Sequence, residues 1–296
     1  MNIVAIISVR DEVELISANI NYHLSIGFKG IVVADILSSD GTSQKLENYK
    51  GNPKVSILNA PSQDYEIFDW RKVLVDIAKQ NYQPDYISHI DADEFLYSPK
   101  LENLDSVAFT HDQLTIKRFN CLTGMEKDFV APTCMRDIDH LNVARYPTPT
   151  AFDQRNSSEP ADWLFTSVGP KLICRSDRLD RFTGGSHSAV DHSGQELQGI
   201  TSNSLAFIHF PFTSYERFLR KVKNVSNMVD MLTDRIPDEA YAYHWRRWAR
   251  LYREGGDKAV HEEYQRQLAA ITDNRYKERM DIARNCIEPT DRILEN

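Results

Sequence analysis

An α/β fold, with a mostly parallel sheet covered by helices on both faces, is what this sequence predicts, and three observations predict it. Short runs rich in Ile and Val alternate with segments of helical periodicity through the first hundred residues. Charged residues follow those runs directly, at the strand ends where an open α/β sheet gathers its ligands. Beyond Ser214 the spacing becomes helical and glycine almost disappears except at Gly255-Gly256, which predicts a helical appendage. The expected division is therefore residues 1–214 as the α/β domain and 215–296 as a C-terminal helical region.

Taken in order, Asn2 to Val9 is a compact apolar strand, followed at once by Arg10-Asp11-Glu12. Val13, Ile16, Ile20 and Leu24 recur at helical spacing and meet Gly27, a helix stop. Gly30 to Ala34 reads as a second buried strand, and Asp35-Ile36-Leu37-Ser38-Ser39-Asp40-Gly41-Thr42 as a polar turn. In that turn Asp40 caps the next helix and Gly41 permits the reversal. Val55 to Leu58 is a third strand, Trp70 to Gln80 a helix, and Tyr86 to Ile90 the strand that runs into Asp91-Ala92-Asp93-Glu94. Leu114 to Phe119 alternates as a strand, and Lys171 to Cys174 forms another after Gly169-Pro170. Between them, residues 145–170 carry Pro147, Pro149 and Pro160 with Asn156-Ser157-Ser158, the composition of an irregular surface segment. Thr183-Gly184-Gly185-Ser186-His187 is a second turn, able to bring backbone close to a diphosphate or simply to reverse the chain. In the second C-terminal helix Trp245, Trp248, Ala249 and Tyr252 share one face, while Arg246, Arg250 and Arg253 share another. We read those aromatics as packing on the catalytic domain; a membrane-surface helix is the alternative.

Composition narrows the function classes. The 296 residues suffice for one large α/β domain with a smaller appendage, and the net charge of -8 lacks the basic footprint of a nucleic-acid binder. No stretch has the length and apolarity of a membrane span, and the sequence opens on a core strand instead of a signal peptide, so a cytoplasmic location with at most peripheral membrane contact is expected. Cys121, Cys134, Cys174 and Cys286 have neither zinc-site nor disulfide-framework spacing.

The chemistry centres on Asp91 and Asp93. In an extended segment, residues two apart point to the same side, so both carboxylates face one ligand. Oxygen-only ligands at a strand's carboxyl end suit a hard divalent cation that also holds a phosphate. A bare Asp-x-Asp is equally the composition of a solvated turn; its place after the fourth predicted strand distinguishes it.

Three segments, in order, carry a family resemblance: Val9-Arg10-Asp11-Glu12, the turn ending Ser38-Ser39-Asp40-Gly41-Thr42, and Ile90-Asp91-Ala92-Asp93-Glu94-Phe95. They resemble family 2 glycosyltransferases of the GT-A fold, within the bacterial subgroup bearing Asp-Ala-Asp-Glu-Phe and similar to family 92. A fourth match is Ile208-His209-Phe210-Pro211-Phe212-Thr213-Ser214-Tyr215-Glu216-Arg217-Phe218, and the likeness spans roughly residues 1–225. Asp11 stands where that subgroup usually has Asn, and Ile36 where it often has Asn. The resemblance implies a GT-A nucleotide-diphospho-sugar transferase that moves a sugar from a nucleotide diphosphate donor, expected to be a UDP-sugar. The acceptor is a hydroxyl of a glycan or lipid-linked glycan, in surface polysaccharide biosynthesis by analogy, and the reaction inverts by direct displacement.

That resemblance implies site roles as well. Asp93 is the leading ligand of Mn²⁺ or Mg²⁺; Asp91 contacts the ribose or also reaches the metal. A histidine in the shell favours Mn²⁺; His209 is the favoured one, with His187 as competitor. Arg10, Glu12 and Asp35 line the expected nucleotide pocket, and Arg71 is a candidate for the diphosphate. The deprotonating carboxylate is Asp191 or, second, Asp162. Residues 145–170 occupy the place of an acceptor loop. Rival readings are a sugar nucleotidyltransferase, which should carry a Gly-rich loop where Arg10-Asp11-Glu12 stands, and an Asp-x-Asp phosphatase, whose nucleophile follows the first strand. A noncatalytic sugar-nucleotide or glycan-binding module of the same fold is the third.

Overall fold

The computed structural model describes residues 1–60, 70–107, 110–122, 129–144, 162–165, 168–235, 243–272 and 287–294. The predicted alternation forms as β1 (Ile3–Val9), α1 (Ile16–Ser25), β2 (Gly30–Asp35), α2 (Thr42–Glu47), β3 (Val55–Asn59), α3 (Trp70–Tyr82) and β4 (Tyr86–His89). Next come β5 (Glu94–Tyr97), β6 (Gln113–Asn120), β7 (Asn142–Ala144), β8 (Lys171–Arg175), the hairpin β9 (Leu179–Thr183) and β10 (Ser188–Asp191), and β11 (Ile200–His209). The chain continues with α4 (Tyr215–Arg235), α5 (Tyr243–Thr272) and β12 (Ile287–Pro289).

Eight strands make one sheet in the order β3-β2-β1-β4-β8-β6-β11-β5. The first four are parallel throughout, with β1 central between β2 and β4. The other half is mixed: β8 runs antiparallel to β4 and β6, β11 parallel to β6, and β5 antiparallel to β11 at the edge. This mixture follows from the turn at Asp91–Asp93. Instead of reversing beside β4, the chain crosses to the far side of the sheet, where Glu94 lies opposite His209.

Both faces of the sheet are covered, and β1 shows why its run is continuously apolar. Ile3, Ala5 and Ile7 pack toward Ile16 and Ile20 of α1, while Val4 and Ile6 pack toward Leu74, Val75 and Ala78 of α3. The Glu12 carbonyl accepts from both the Leu15 and Ile16 N–H groups, making a separate turn over residues 13–15 before α1 begins at Ile16. The helix ends as expected at Gly27, whose φ of +112° is a left-handed value that disfavours a side chain.

The helical region packs through its own apolar cluster, in which Phe218 and Val222 of α4 meet Trp248, Val260 and Tyr264 of α5. Phe212, Leu164 and Phe165 join the same cluster and tie both helices to the sheet domain. Helix α5 kinks at Gly256, where φ is 61°. The helical description of 215–296 omits one detail: β12 returns to pair antiparallel with β7. Among the described residues, no helix is long and apolar enough to cross a membrane. Most of the expected acceptor loop, 145–161 and 166–167, lies outside the described residues.

Candidate active site

A cavity of about 480 Å³ opens beyond the carboxyl ends of β1 and β4. Ser8, Val9, Arg10 and Glu12 line it from the end of β1, and Asp91, Ala92 and Asp93 from the turn after β4. Arg118 of β6, His209 of β11 and Lys221 of α4 complete the polar floor. Trp163, His244, Trp245 and Trp248 supply an aromatic wall. The parallel order brings the first group together, since β1 and β4 are hydrogen-bonded neighbours with Ile6 opposite His89.

Asp91 and Asp93 share the cavity but not their partners. Asp91 Oδ2 accepts from Lys171 Nζ at 2.8 Å, and the fully buried Lys171 also lies 3.2 Å from the fully buried Glu94. Arg118 Nη1 donates to Glu94 Oε1 at 2.5 Å and stands 3.9 Å from Asp91. Burial alone would raise the Asp91 carboxyl, but Lys171 above all, with Arg118, holds it well below the usual carboxylate range.

Asp93 faces α4 instead. Its Oδ2 accepts from Arg217 Nη2 and from Lys221 Nζ, both at 2.6 Å. Arg217 is fully buried and makes a two-pronged contact with Glu12, at 2.6 and 3.0 Å, while Lys221 stands 2.9 Å from the same carboxylate. Burial again opposes ionisation of Asp93, and Lys221, His209 and Arg217 together overcome it, so this carboxyl too lies well below its ordinary value. Two carboxylates matched by two cations thus form each cluster.

His209 approaches Asp93 as the sequence suggested, its Nε2 3.4 Å from Oδ2. Its orientation is fixed from behind: the Asn120 amide nitrogen donates to the Leu164 carbonyl, which turns the Asn120 oxygen toward His209 Nδ1 at 2.7 Å. His187 lines the opposite wall, with Nδ1 2.7 Å from the Pro170 carbonyl. A carbonyl can only accept, so Nδ1 carries the hydrogen and Nε2 is the acceptor of the neutral ring. Burial lowers the His187 pKa and favours that neutral form. Gly169 makes this possible, since a Cβ there would come within 2.8 Å of the His187 ring.

The remaining expected residues lie elsewhere. Asp35 is buried at the end of β2, accepting from the Ser38 N–H at 3.2 Å and from the Ser43 hydroxyl, so it organises the turn into α2 and does not line the cavity. Arg71 is on α3, also outside the lining. Asp191 caps the exposed turn after β10, accepting from the Ser193 and Gln195 N–H groups. Asp162 pairs with Arg266 at 2.8 Å. Neither Asp191 nor Asp162 lines the cavity. Asp11, with φ of 54°, holds the Ser39 and Asp40 N–H groups and accepts from Asn224 of α4. Sequence reasoning missed Lys171, Arg118, Arg217 and Lys221; their only signal was a cation on a strand or helix otherwise apolar on that face.

A divalent cation fits this donor set poorly. An ionised carboxylate oxygen offers about two lone-pair sites, and Arg217 and Lys221 take both on the Asp93 oxygen that faces His209. Asp91 turns its Oδ2 to Lys171. Among the described residues no three His, Cys, Asp or Glu side chains are gathered in a way that could hold a metal ion.

No protein-family sequence model matches the chain. No curated protein matches it in sequence. Solved structures similar to it include TarS from S. aureus, at 14% identity and a TM-score of 0.39, covering 77% of this chain and 66% of that one. The chain thus spans just under two thirds of that TarS structure, and 40% of a longer one. The mannosyltransferase PcManGT from Pyrobaculum calidifontis, solved with GDP-Man and Mn²⁺, is similar at 11% identity and a TM-score of 0.41, covering 99% of this chain and 84% of that one. Glucosyl-3-phosphoglycerate synthase from Mycobacterium tuberculosis, solved with Mn²⁺, UDP-glucose and phosphoglyceric acid, is similar at 11% identity, with coverage of 59% and 57% and a TM-score of 0.31.

Proposed function

We propose that this chain is a glycosyltransferase that moves a sugar from a nucleoside diphosphate donor, with a UDP-sugar as the first candidate, to a hydroxyl of a glycan or lipid-linked glycan. The observation that carries the reading is the composition of one cavity: a floor of charged residues at strand ends facing a wall of Trp163, Trp245 and Trp248. Diphosphate groups need charged donors, and the apolar face of a pyranose packs on aromatic rings. Arg10, next to the end of β1, remains a donor-site residue in this reading, while Asp35 and Asp11 shape the turns around it.

Inversion by direct displacement needs a base that removes the acceptor proton as the sugar bond forms. His187 suits that role better than Asp191 or Asp162. It lines the cavity, and its Nδ1–H is committed to the Pro170 carbonyl, so Nε2 of the neutral ring can accept a proton. The imidazolium formed is then stabilised by that carbonyl and lies within electrostatic reach of Asp91. Bond cleavage leaves a nucleoside diphosphate, whose developing charge faces Arg10, Arg118 and Lys221 across the cavity.

The test is a panel of UDP- and GDP-sugars incubated with the chain, reading release of nucleoside diphosphate with and without simple glycoside acceptors. Turnover of one donor, reduced at least about 100-fold in His187→Ala, supports the reading, since general-base catalysis contributes roughly that much. Binding of a donor without turnover indicates a noncatalytic module instead.

A further inference from the structure

The three carboxylates that line the cavity, Glu12, Asp91 and Asp93, each already accept from a buried cation, unlike the open oxygen ligands of a metal site. Of the three cations that line the cavity, Arg118 leaves its Nε buried with no hydrogen-bond partner among the described residues, although its Nη1 holds Glu94 and its side chain is only 10% exposed. Arg10 Nε is likewise buried and without a hydrogen-bond partner. Lys221 commits one ammonium hydrogen to Asp93 and another toward Glu12, which leaves a third. Buried donors without partners are costly unless a ligand completes them. The nearby carboxylates, by contrast, are already engaged: Glu12 and Asp93 by Arg217 and Lys221, Asp91 and Glu94 by Lys171 and Arg118.

We propose that this chain binds the diphosphate of its donor without a divalent cation, through Arg10, Arg118 and Lys221, the carboxylates serving to hold those cations in place. The inference rests on the donor class proposed above and departs from the metal dependence that the Asp91-Ala92-Asp93 motif suggested. Arg217 and Lys171 are positioning residues in this arrangement: neither lines the cavity, and each fixes a carboxylate that in turn orients a lining cation.

Calorimetric titration of the full chain with UDP, GDP and inorganic pyrophosphate, each in EDTA and again in Mn²⁺, decides the matter. The expected result is binding in EDTA with an affinity within about twofold of that in Mn²⁺. Arg10→Gln and Lys221→Gln should each weaken that binding at least tenfold while keeping the wild-type near-UV circular dichroism. Either variant suffices if the other fails to fold. Binding that appears only with Mn²⁺ overturns the inference and leaves the donor reading intact. Pyrophosphate binding in EDTA without binding of either nucleotide upholds the anion site and overturns the nucleotide donor. No pyrophosphate or nucleotide binding in EDTA overturns the inference.

Discussion

The two charge clusters under the cavity contain the same number of carboxylates and cations, yet they are built in different ways. Lys171 and Arg118 of the first cluster sit on the neighbouring strands β8 and β6, and Asn19 of α1 holds the Asp91 and Glu94 carbonyls, so this cluster is set within the sheet and its first helix. Asp93 and Glu12 receive their cations from α4, more than a hundred residues further along the chain. The first cluster is a property of the sheet domain. The second exists only when the helical region is docked, so it couples that docking to the shape of the site.

The largest effect should separate these two modes. Arg217→Met leaves two buried carboxylates with Lys221 alone and should cost about 3–5 kcal/mol, the usual result of breaking a buried pair. Urea unfolding would measure it. The near-UV signal of the Phe212, Phe218 and Trp248 contacts should fall in the same variant. Lys171→Met should destabilise comparably but leave that aromatic signal intact; equal loss of the signal in both would show that the clusters are not independent.

Acid should act on two different groups in sequence. Burial lowers His23 to about 4 and His89 to about 3, so each stays neutral in the fold at pH values where the unfolded chain protonates. Such a group lowers stability as pH falls below its unfolded value near 6.5, and the loss continues until the folded pKa is reached. The depressed carboxylates, Asp91 and Asp93 in the site and Glu263 at about 2 between α5 side chains, contribute stability above their unfolded values near 4 and lose it at lower pH. Stability should therefore be flat above pH 7 and fall from about 6.5 to 4, before the carboxylates titrate. His89→Leu should reduce that first slope, and an unchanged slope would refute the assignment.

A smaller change is expected on the aromatic wall. Trp245 is half-buried and packs edge-on against Trp248 at 5.2 Å. Trp245→Ala should raise the acceptor KM roughly three- to tenfold, the scale of one aromatic stacking contact, without altering nucleotide affinity in the charged floor. The smallest effect belongs to Asp191→Asn. Its Oδ1 role in the turn is one an amide oxygen can fill, so neither donor turnover nor the thermal midpoint should move measurably.

How much of this was legible in the sequence differs between those same regions. The strands β1 to β4 and the helices among them fell within a few residues of their predicted bounds, because continuous Ile/Val runs and helical spacing are local signals. Trp248 and Ala249 are buried, as the packing reading of the aromatic face required. His209 and Asp93 were singled out by motif and do meet. Asp35 was chosen by family match and Arg71, Asp162 and Asp191 by their place along the chain; neither signal records side-chain direction, and all four fall outside the cavity lining.

The sequence by itself determined the alternating α/β half, the helical C-terminal region and the turn that presents Asp91 and Asp93, since each depends on residues near one another in the chain. Tertiary structure alone decided what those carboxylates do. Their partners Lys171, Arg118, Arg217 and Lys221 arrive through strand order and helix docking from as far as 128 residues away. The charge state and ligand preference of a buried group are set by the few ångströms around it, and no local pattern records which distant cation will fill them.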